Sequence, residues 1–257
     1  MNRVLEVNLE LLSEQAITSA LATPYWRVSV IEETSSTQSL IREKSPTPGD
    51  VIATEYQSAG RGRLDRSFEA KKSTALLFSF YIEPKISLDK YGFIPLIAGI
   101  ATARSIQDLT NIKDFKCKWP NDILFDHLKV AGLLTEVCGD GIIVGIGINV
   151  SSDLADLPVP TATSIKLATG AILDRNLLLA TILNTFLTLI SRFEEGAQLT
   201  PEYLELCATI GKSVVAKLPG GVDIQGVATS IDASGALILA SGQLITVGDL
   251  IHLRESK

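Results

Sequence analysis

Histidine is almost missing: His127 and His252 are the only two in 257 residues. A histidine-rich metal cluster or a triad built on a histidine base is hard to assemble from so few, so zinc and serine-hydrolase chemistry drop out. Cysteine is equally scarce. Cys117, Cys138 and Cys207 stand far apart without a CxxC spacing, and an odd number cannot be fully paired within one chain. A reducing, cytoplasmic setting is expected. The opening MNRVLEVNLELLSEQAI is interrupted by acidic and polar residues, so it offers neither a signal-peptide core nor a membrane span, and a soluble protein is expected. There is no GxxxxGK[ST] loop and no strand-to-helix GxGxxG, which makes Walker and ordinary dinucleotide folds poor fits. Net positive charge is lacking too. With 23 Lys and Arg against 29 Asp and Glu, the chain carries −6 spread along its length and should repel nucleic acid as a whole. Cationic chemistry must be local.

What remains is a chain long enough for one large unit plus a small one, 46% hydrophobic and 20% charged, without internal repeats or low-complexity segments. About the first 25 residues hold one possible helix and then Pro24, too little for a winged helix-turn-helix. Val28–Ile31 reads as a strand entering the hydroxyl-rich turn Thr34-Ser35-Ser36-Thr37, whose side chains can cap a helix starting near Gln38. Residues 51–57 read as a second strand. Ala75–Ile82 is a nearly unbroken apolar run suited to a central strand, and 94–109 repeat at helical spacing. From Phe115 to Val150 the pattern is a meander with turns at Asp126-His127 and Gly139-Asp140-Gly141. Asp174 can cap a long helix ending at Gly196, and Thr200-Pro201 can start another. After Gly211, short β-type runs alternate with Leu218-Pro219-Gly220-Gly221, Asp232-Ala233-Ser234-Gly235 and Ser241-Gly242. The expected division is a catalytic unit over 1–210 and a small β-barrel over 211–257.

Three segments carry chemistry. In Gly60-Arg61-Gly62-Arg63, glycines let backbone N–H groups approach an anion and arginines add forked donors; the plainer alternative is a solvated basic loop. In Lys118-Trp119-Pro120-Asn121-Asp122, alternation sets Lys118 opposite Phe115, Cys117 and Trp119, and Pro120 ends the strand, which also fits a mere strand end with a turn. Lys129 enters the apolar strand Val130-Ala131-Gly132-Leu133-Leu134, where a solvated edge charge is the ordinary reading. Gly145-Ile146-Gly147 lies within a strand, marking close approach of backbone or ligand.

Taken in order, Ser36-Thr37-Gln38, Glu55-Tyr56-Gln57 with Ala59 to Arg63, Lys118 to Asp122, Lys129 to Glu136 and Gly145 to Asn149 resemble the motifs of biotin protein ligases, from about Val28 to the C-terminus. The resemblance implies an α/β (α+β) fold: a mixed, mainly antiparallel sheet with helices, followed by an SH3-like β-barrel. It implies two steps, in which biotin and MgATP give biotinyl-5′-adenylate and pyrophosphate and a lysine of a biotin carboxyl carrier protein then takes the biotin. By the same resemblance Ser36, Thr37, Gln38 and Gln57 meet biotin's ring system, under the loop of Gly60, Arg61, Gly62 and Arg63. Arg61 and Lys129 lie at the biotin carboxylate and adenylate phosphate, Gly132, Leu133 and Gly145 form apolar walls, and Arg63, Arg66, Lys118, Asn121 and Asn149 face nucleotide. Arg63, Lys129 and Asp122 are the catalytic candidates. No protein-held metal site is expected, magnesium being inferred from ATP chemistry. A homodimer through exposed sheet edges is open.

The physics agrees in kind. A carboxylate brought to ~4 Å from a phosphate is repelled by about 4 kcal/mol per unit-charge pair at an effective dielectric of 20, so an adenylating site requires cations between them. The transfer step needs a deprotonated lysine, and an aspartate of ordinary acidity is a poor base, so Asp122 is better suited to orienting a cation. The chain departs from the family pattern at Gln38, where asparagine is usual, and at Phe68, where tryptophan often stands. A lipoate or octanoate ligase, a biotin-dependent repressor and a non-catalytic biotin-binding module are the competing readings.

Overall fold

A computed structural model of the chain describes residues 10–63, 66–218, 221–246 and 248–253. The first nine residues, Leu64-Asp65 of the arginine loop and Pro219-Gly220 of a predicted turn lie outside them.

The β-branched and aromatic runs pair into a seven-stranded sheet of order β1-β2-β3-β7-β6-β5-β4. Its strands are β1 (Arg27–Thr34), β2 (Asp50–Gln57), β3 (Ala75–Ile82), β4 (Phe115–Lys118), β5 (Asp122–Phe125), β6 (Leu128–Cys138) and β7 (Gly141–Asn149). Only β1 and β2 are parallel; the remaining pairs are antiparallel, joined by short turns where the sequence has Asp126 and Gly139 at positive φ. The mixed, mainly antiparallel sheet is the one the resemblance implies. Every residue of β3 is buried, which is what an unbroken apolar run requires when both faces of a central strand are covered.

The helices α1 (Glu14–Ser19), α3 (Ile94–Thr110), α5 (Arg175–Glu194) and α6 (Thr200–Leu206) contribute to the main apolar core with Phe78, Phe80, Val144, Ile146 and Ile148. Helix α5 is long and apolar enough to cross a bilayer, but Leu178, Leu179, Ile182, Leu183 and Phe186 are buried in this core, so its apolarity is accounted for by packing. Asp174 caps it as predicted, accepting from the Asn176 N–H at 2.8 Å. Thr200 instead falls inside α6, with Leu199 at the cap position.

Beyond α6 a five-stranded antiparallel sheet of SH3-like type is built from β8 (Ser213–Lys217), β9 (Asp223–Ile231), β10 (Leu237–Leu239), β11 (Leu244–Ile245) and β12 (Asp249–His252), in the order β11-β10-β9-β8-β12. It is tied to the larger sheet by buried groups. The Trp119 indole N–H donates to Gly235 O at 2.9 Å and the Trp119 amide to Thr209 Oγ1 at 3.1 Å. Gly235, at φ +91, presses against Gly92, where an added Cβ would meet backbone at 2.4 Å. This docking fixes where the small sheet stands relative to the cleft described next.

Candidate active site

The strand register decides which side chains share a face. Leu77 of β3 is opposite Gly147 of β7, Gly147 opposite Gly132 of β6, Gly132 opposite Asp122 of β5, and Asp122 opposite Lys118 of β4. One row up, Ser79 is opposite Gly145 and Gly145 opposite Leu134. Residues opposite one another point to the same side of a sheet, so three glycines clear a trough across five strands with Asp122 and Lys118 at one end and Ser79 at the other. The cleft over this floor has a volume of about 1460 Å³, above the 300–1,000 Å³ typical of a single small-molecule site, and thus has room for two substrates.

At the Ser79 end stands helix α2 (Thr37–Glu43), with Ser36 as its N-cap residue. The predicted side-chain cap from this turn does not form. Gln57, at the end of β2, supplies the acceptor instead: its Oε1 takes the Thr37 N–H at 2.7 Å and the Thr37 hydroxyl at 3.0 Å. Thr37 Oγ1 also lies 2.8 Å from Ser79 Oγ, which donates to Gln38 Oε1 at 3.1 Å. Gln38 lies over Gly145, where an added Cβ would meet its Oε1 at 2.4 Å. The result is a neutral set of hydroxyls and amides, buried except for the half-buried Gln57.

The arginine loop closes on itself through Phe68 N–H to Gly60 O at 3.0 Å and Gly62 N–H to Arg66 O at 2.7 Å. Gly60 lies at the neck of this loop and not on the cleft wall; an added Cβ would meet Phe68 O at 2.3 Å, so the glycine is needed for closure. The Phe68 ring covers Gly147, 2.8–2.9 Å from where a Cβ would be, so the aromatic at this position serves as a roof over the trough. Arg63 reaches across to Asn121 Oδ1 at 3.3 Å. The Arg61 guanidinium makes a two-bonded ion pair with Glu136, at 3.0 and 2.8 Å, so its fork is turned onto β6.

Lys129 is not an edge charge. A bulge between Ile123 and Leu124 shifts the register beside it, and its backbone is paired on the far side with Thr161 and Thr163. Its Nζ extends over Gly132, 3.0 Å from where a Cβ would be, and meets Asp122 Oδ1 at 2.6 Å. Asn121 donates to Leu133 O at 2.8 Å, and Asn149 to Thr163 O at 3.1 Å, holding the 161–163 segment as a wall. Lys118 and Arg66 line the cleft as well. Among the described residues no cluster of three or more His, Cys, Asp or Glu side chains forms a metal cage.

Several participants were not recognisable as such in the sequence. Ser79 is the lone serine in the buried run Ala75–Ile82, and its place in the site follows only from its contacts with Thr37 and Gln38. Glu136 belongs to a quoted motif but showed no role until its arginine partner was in place. Lys212, Gln225, Ile251 and His252 of the terminal sheet also line the cleft, more than 80 residues in sequence from Lys129. The charges of Lys118 and Lys212 add to burial in pulling the His252 pKa down to about 4.

A mixed sheet carrying a glycine-floored trough, with neutral polar groups at one end and lysines at the other, defines a protein that binds a polar small acid beside an anionic second ligand. Residues 28–153 match the biotin/lipoate A/B protein ligase family. A biotin--[acetyl-CoA-carboxylase] ligase of Mycobacterium tuberculosis is 32% identical over 241 residues, covering 89% of this chain and 90% of that protein. The bifunctional ligase/repressor BirA of Bacillus subtilis is 32% identical over 57% of this chain and 47% of its own length, so that match spans about half of that protein. The biotin protein ligase of Aquifex aeolicus, solved in complex with biotin and ATP, shares the fold with a TM-score of 0.79 at 28% identity, over 89% of this chain and 99% of that one. The chain belongs to the biotin protein ligases.

Proposed function

We propose that this protein joins biotin to a specific lysine of a biotin carboxyl carrier protein, through biotinyl-5′-adenylate, and that it acts without transcriptional repression. The observation that carries the reading is the trough itself: Lys129 lies over Gly132 beside Asp122, with Lys118 in the same cross-strand row and the Thr37, Gln57 and Ser79 group at the far end. Biotin's ureido group is neutral and both donates and accepts hydrogen bonds, which suits hydroxyls and amides; its carboxylate would extend along the glycines to the lysines.

In the first step a biotin carboxylate oxygen attacks the α-phosphorus of ATP and pyrophosphate leaves. Lys129, Arg63 and Lys118 would offset the charge that builds where two anions meet. Magnesium would arrive as the ATP complex, supplying charge to the phosphates, since the described residues offer no carboxylate cage for it. In the second step the neutral ε-amine of the carrier lysine attacks the anhydride carbonyl and AMP leaves. Asp122, held by Lys129, is suited to orienting that cation. The relative from Mycobacterium, named for acetyl-CoA carboxylase, supports a carboxylase carrier as acceptor. Cytoplasmic location is part of the same proposal.

The test is ATP–pyrophosphate exchange with biotin, lipoate or octanoate as the acid, followed by transfer of labelled biotin to a carrier domain. Exchange with biotin and labelling of one lysine are expected. Exchange with lipoate or octanoate alone would move the protein to the sister enzymes, and no exchange with any acid would favour binding only.

A further inference from the structure

The two named arginines of the loop are used differently. Arg61 is turned onto Glu136, while Arg63 points across the cleft to Asn121. Glu136 sits on β6 four residues from Gly132 and two from Leu134, on the face that floors the trough. It gathers more than Arg61. Arg42 of α2 donates to its Oε2 at 3.3 Å, and the same helix carries Gln38. Gln38 in turn accepts from Ser79, whose hydroxyl contacts Thr37, which donates to Gln57. Glu136 therefore links the arginine loop, through Arg42, to the helix whose first residues form the neutral end of the cleft.

The backbone bonds of the loop do not reach β6. Gly60 with Phe68 and Gly62 with Arg66 close the loop on itself, and Ala59 N–H to Ser35 O at 2.9 Å ties its base to the turn before α2. The two parallel bonds from Arg61 to Glu136 join it to β6, and a two-bonded guanidinium–carboxylate pair fixes orientation as well as distance. Lysine at 61 or glutamine at 136 could not reproduce it.

We propose that Glu136 is a positioning residue for the biotin end of the site, pinning Arg61 as a strut and, through Arg42, holding the helix that carries Gln38, so that loop closure and ring recognition form one unit. The proposal rests on the biotin-ligase reading. It assigns Arg61 to holding the loop, and leaves contact with the acid and phosphate to Lys129 and the Arg63 limb.

The experiment uses the full chain with Glu136→Gln, Arg61→Gln and the double variant. Biotin affinity is read by titration calorimetry, release of preformed labelled adenylate by chase, and the KM for ATP by pyrophosphate exchange. Each single change is expected to weaken biotin binding and speed adenylate release about tenfold, with the ATP KM held within about twofold and the double variant no worse than either single, a coupling of about 1.4 kcal/mol. Arg61→Lys should not restore retention, whereas the exchanged pair Arg61→Glu with Glu136→Arg should restore part of it, a gain that a misfolded protein could not show. Wild-type retention in Glu136→Gln, or effects that multiply in the double variant, would overturn the proposal. Failure of the unmodified protein to exchange with biotin would instead sink the functional reading beneath it.

Discussion

Lys129 and Asp122 form a 2.6 Å ion pair above Gly132, at the one place in the trough where a missing side chain lets a lysine lie flat over the sheet. The pair aims the ammonium along the floor of the cleft. Lys129→Ala is expected to lower adenylate formation roughly a hundredfold, the scale seen when one preorganised charge is removed from a developing anion. Asp122→Asn, which keeps the shape, should cost about tenfold by loosening the lysine. Pyrophosphate exchange measures both, and normal exchange by Lys129→Ala would refute its assignment.

Arg63 spans the cleft from the loop to Asn121 in the turn between β4 and β5. Arg63→Ala should therefore leave the roof incompletely closed and raise the dissociation rate of adenylate about tenfold or more. A chase of labelled adenylate reads this directly. Unchanged retention would mean that the loop closes without this arginine.

The carboxylate of Glu55 and the guanidinium of Arg175 are buried together, with contacts of 2.7 and 3.2 Å, and Glu55 also accepts the Leu12 N–H at 2.6 Å. Burial by itself would raise the Glu55 pKa, but these hydrogen bonds and the arginine's charge outweigh it and hold the carboxyl below the ordinary glutamate range. Removing one partner strands the other's charge, so Arg175→Met should destabilise the fold by about 3–5 kcal/mol. Because the folded-state pKa is the lower one, the stabilisation is fully present above the unfolded value near 4.3 and is lost as pH falls through the folded value. Urea unfolding at pH 7 and pH 4 should show the variant's deficit shrinking in acid.

Burial, with the charges of Lys118 and Lys212 added to it, holds His252 neutral, and its Nε2 lies 3.0 Å from Thr209 Oγ1. The folded pKa lies below the ordinary 6.5, so the unfolded chain takes up its proton first. Stability from this group is present above pH 6.5 and is lost as pH falls towards 4. With two histidines in the chain, proton NMR should show one of two imidazole signals titrating near pH 4, and Lys212→Ala should move it upward. A signal for His252 titrating near 6.5 would contradict this environment.

Much of this was written in the sequence. Period-2 alternation and the all-apolar run at Ala75–Ile82 specify strands, because a pleated sheet sorts residues by parity, and capping by Asp174 places the start of α5. The glycine-arginine loop, Lys118 to Asp122 and Lys129 were legible as places of unusual chemistry because cations and glycines are out of keeping with the strands around them.

The sequence alone thus determined the classes of element, the order of the motifs and the family they resemble. Partnership across strands was decided by the tertiary structure. No local rule pairs Arg61 with Glu136, 75 residues away, or Glu55 with Arg175, 120 away, since such contacts depend on register, on a bulge at Ile123/Leu124 and on which face each strand turns inward. The same holds for His252 and Lys212, which reach the cleft only because Trp119 and Gly235 dock the terminal sheet against it. Local chemistry is encoded residue by residue, but a site belongs to the sheet that brings distant residues to one face.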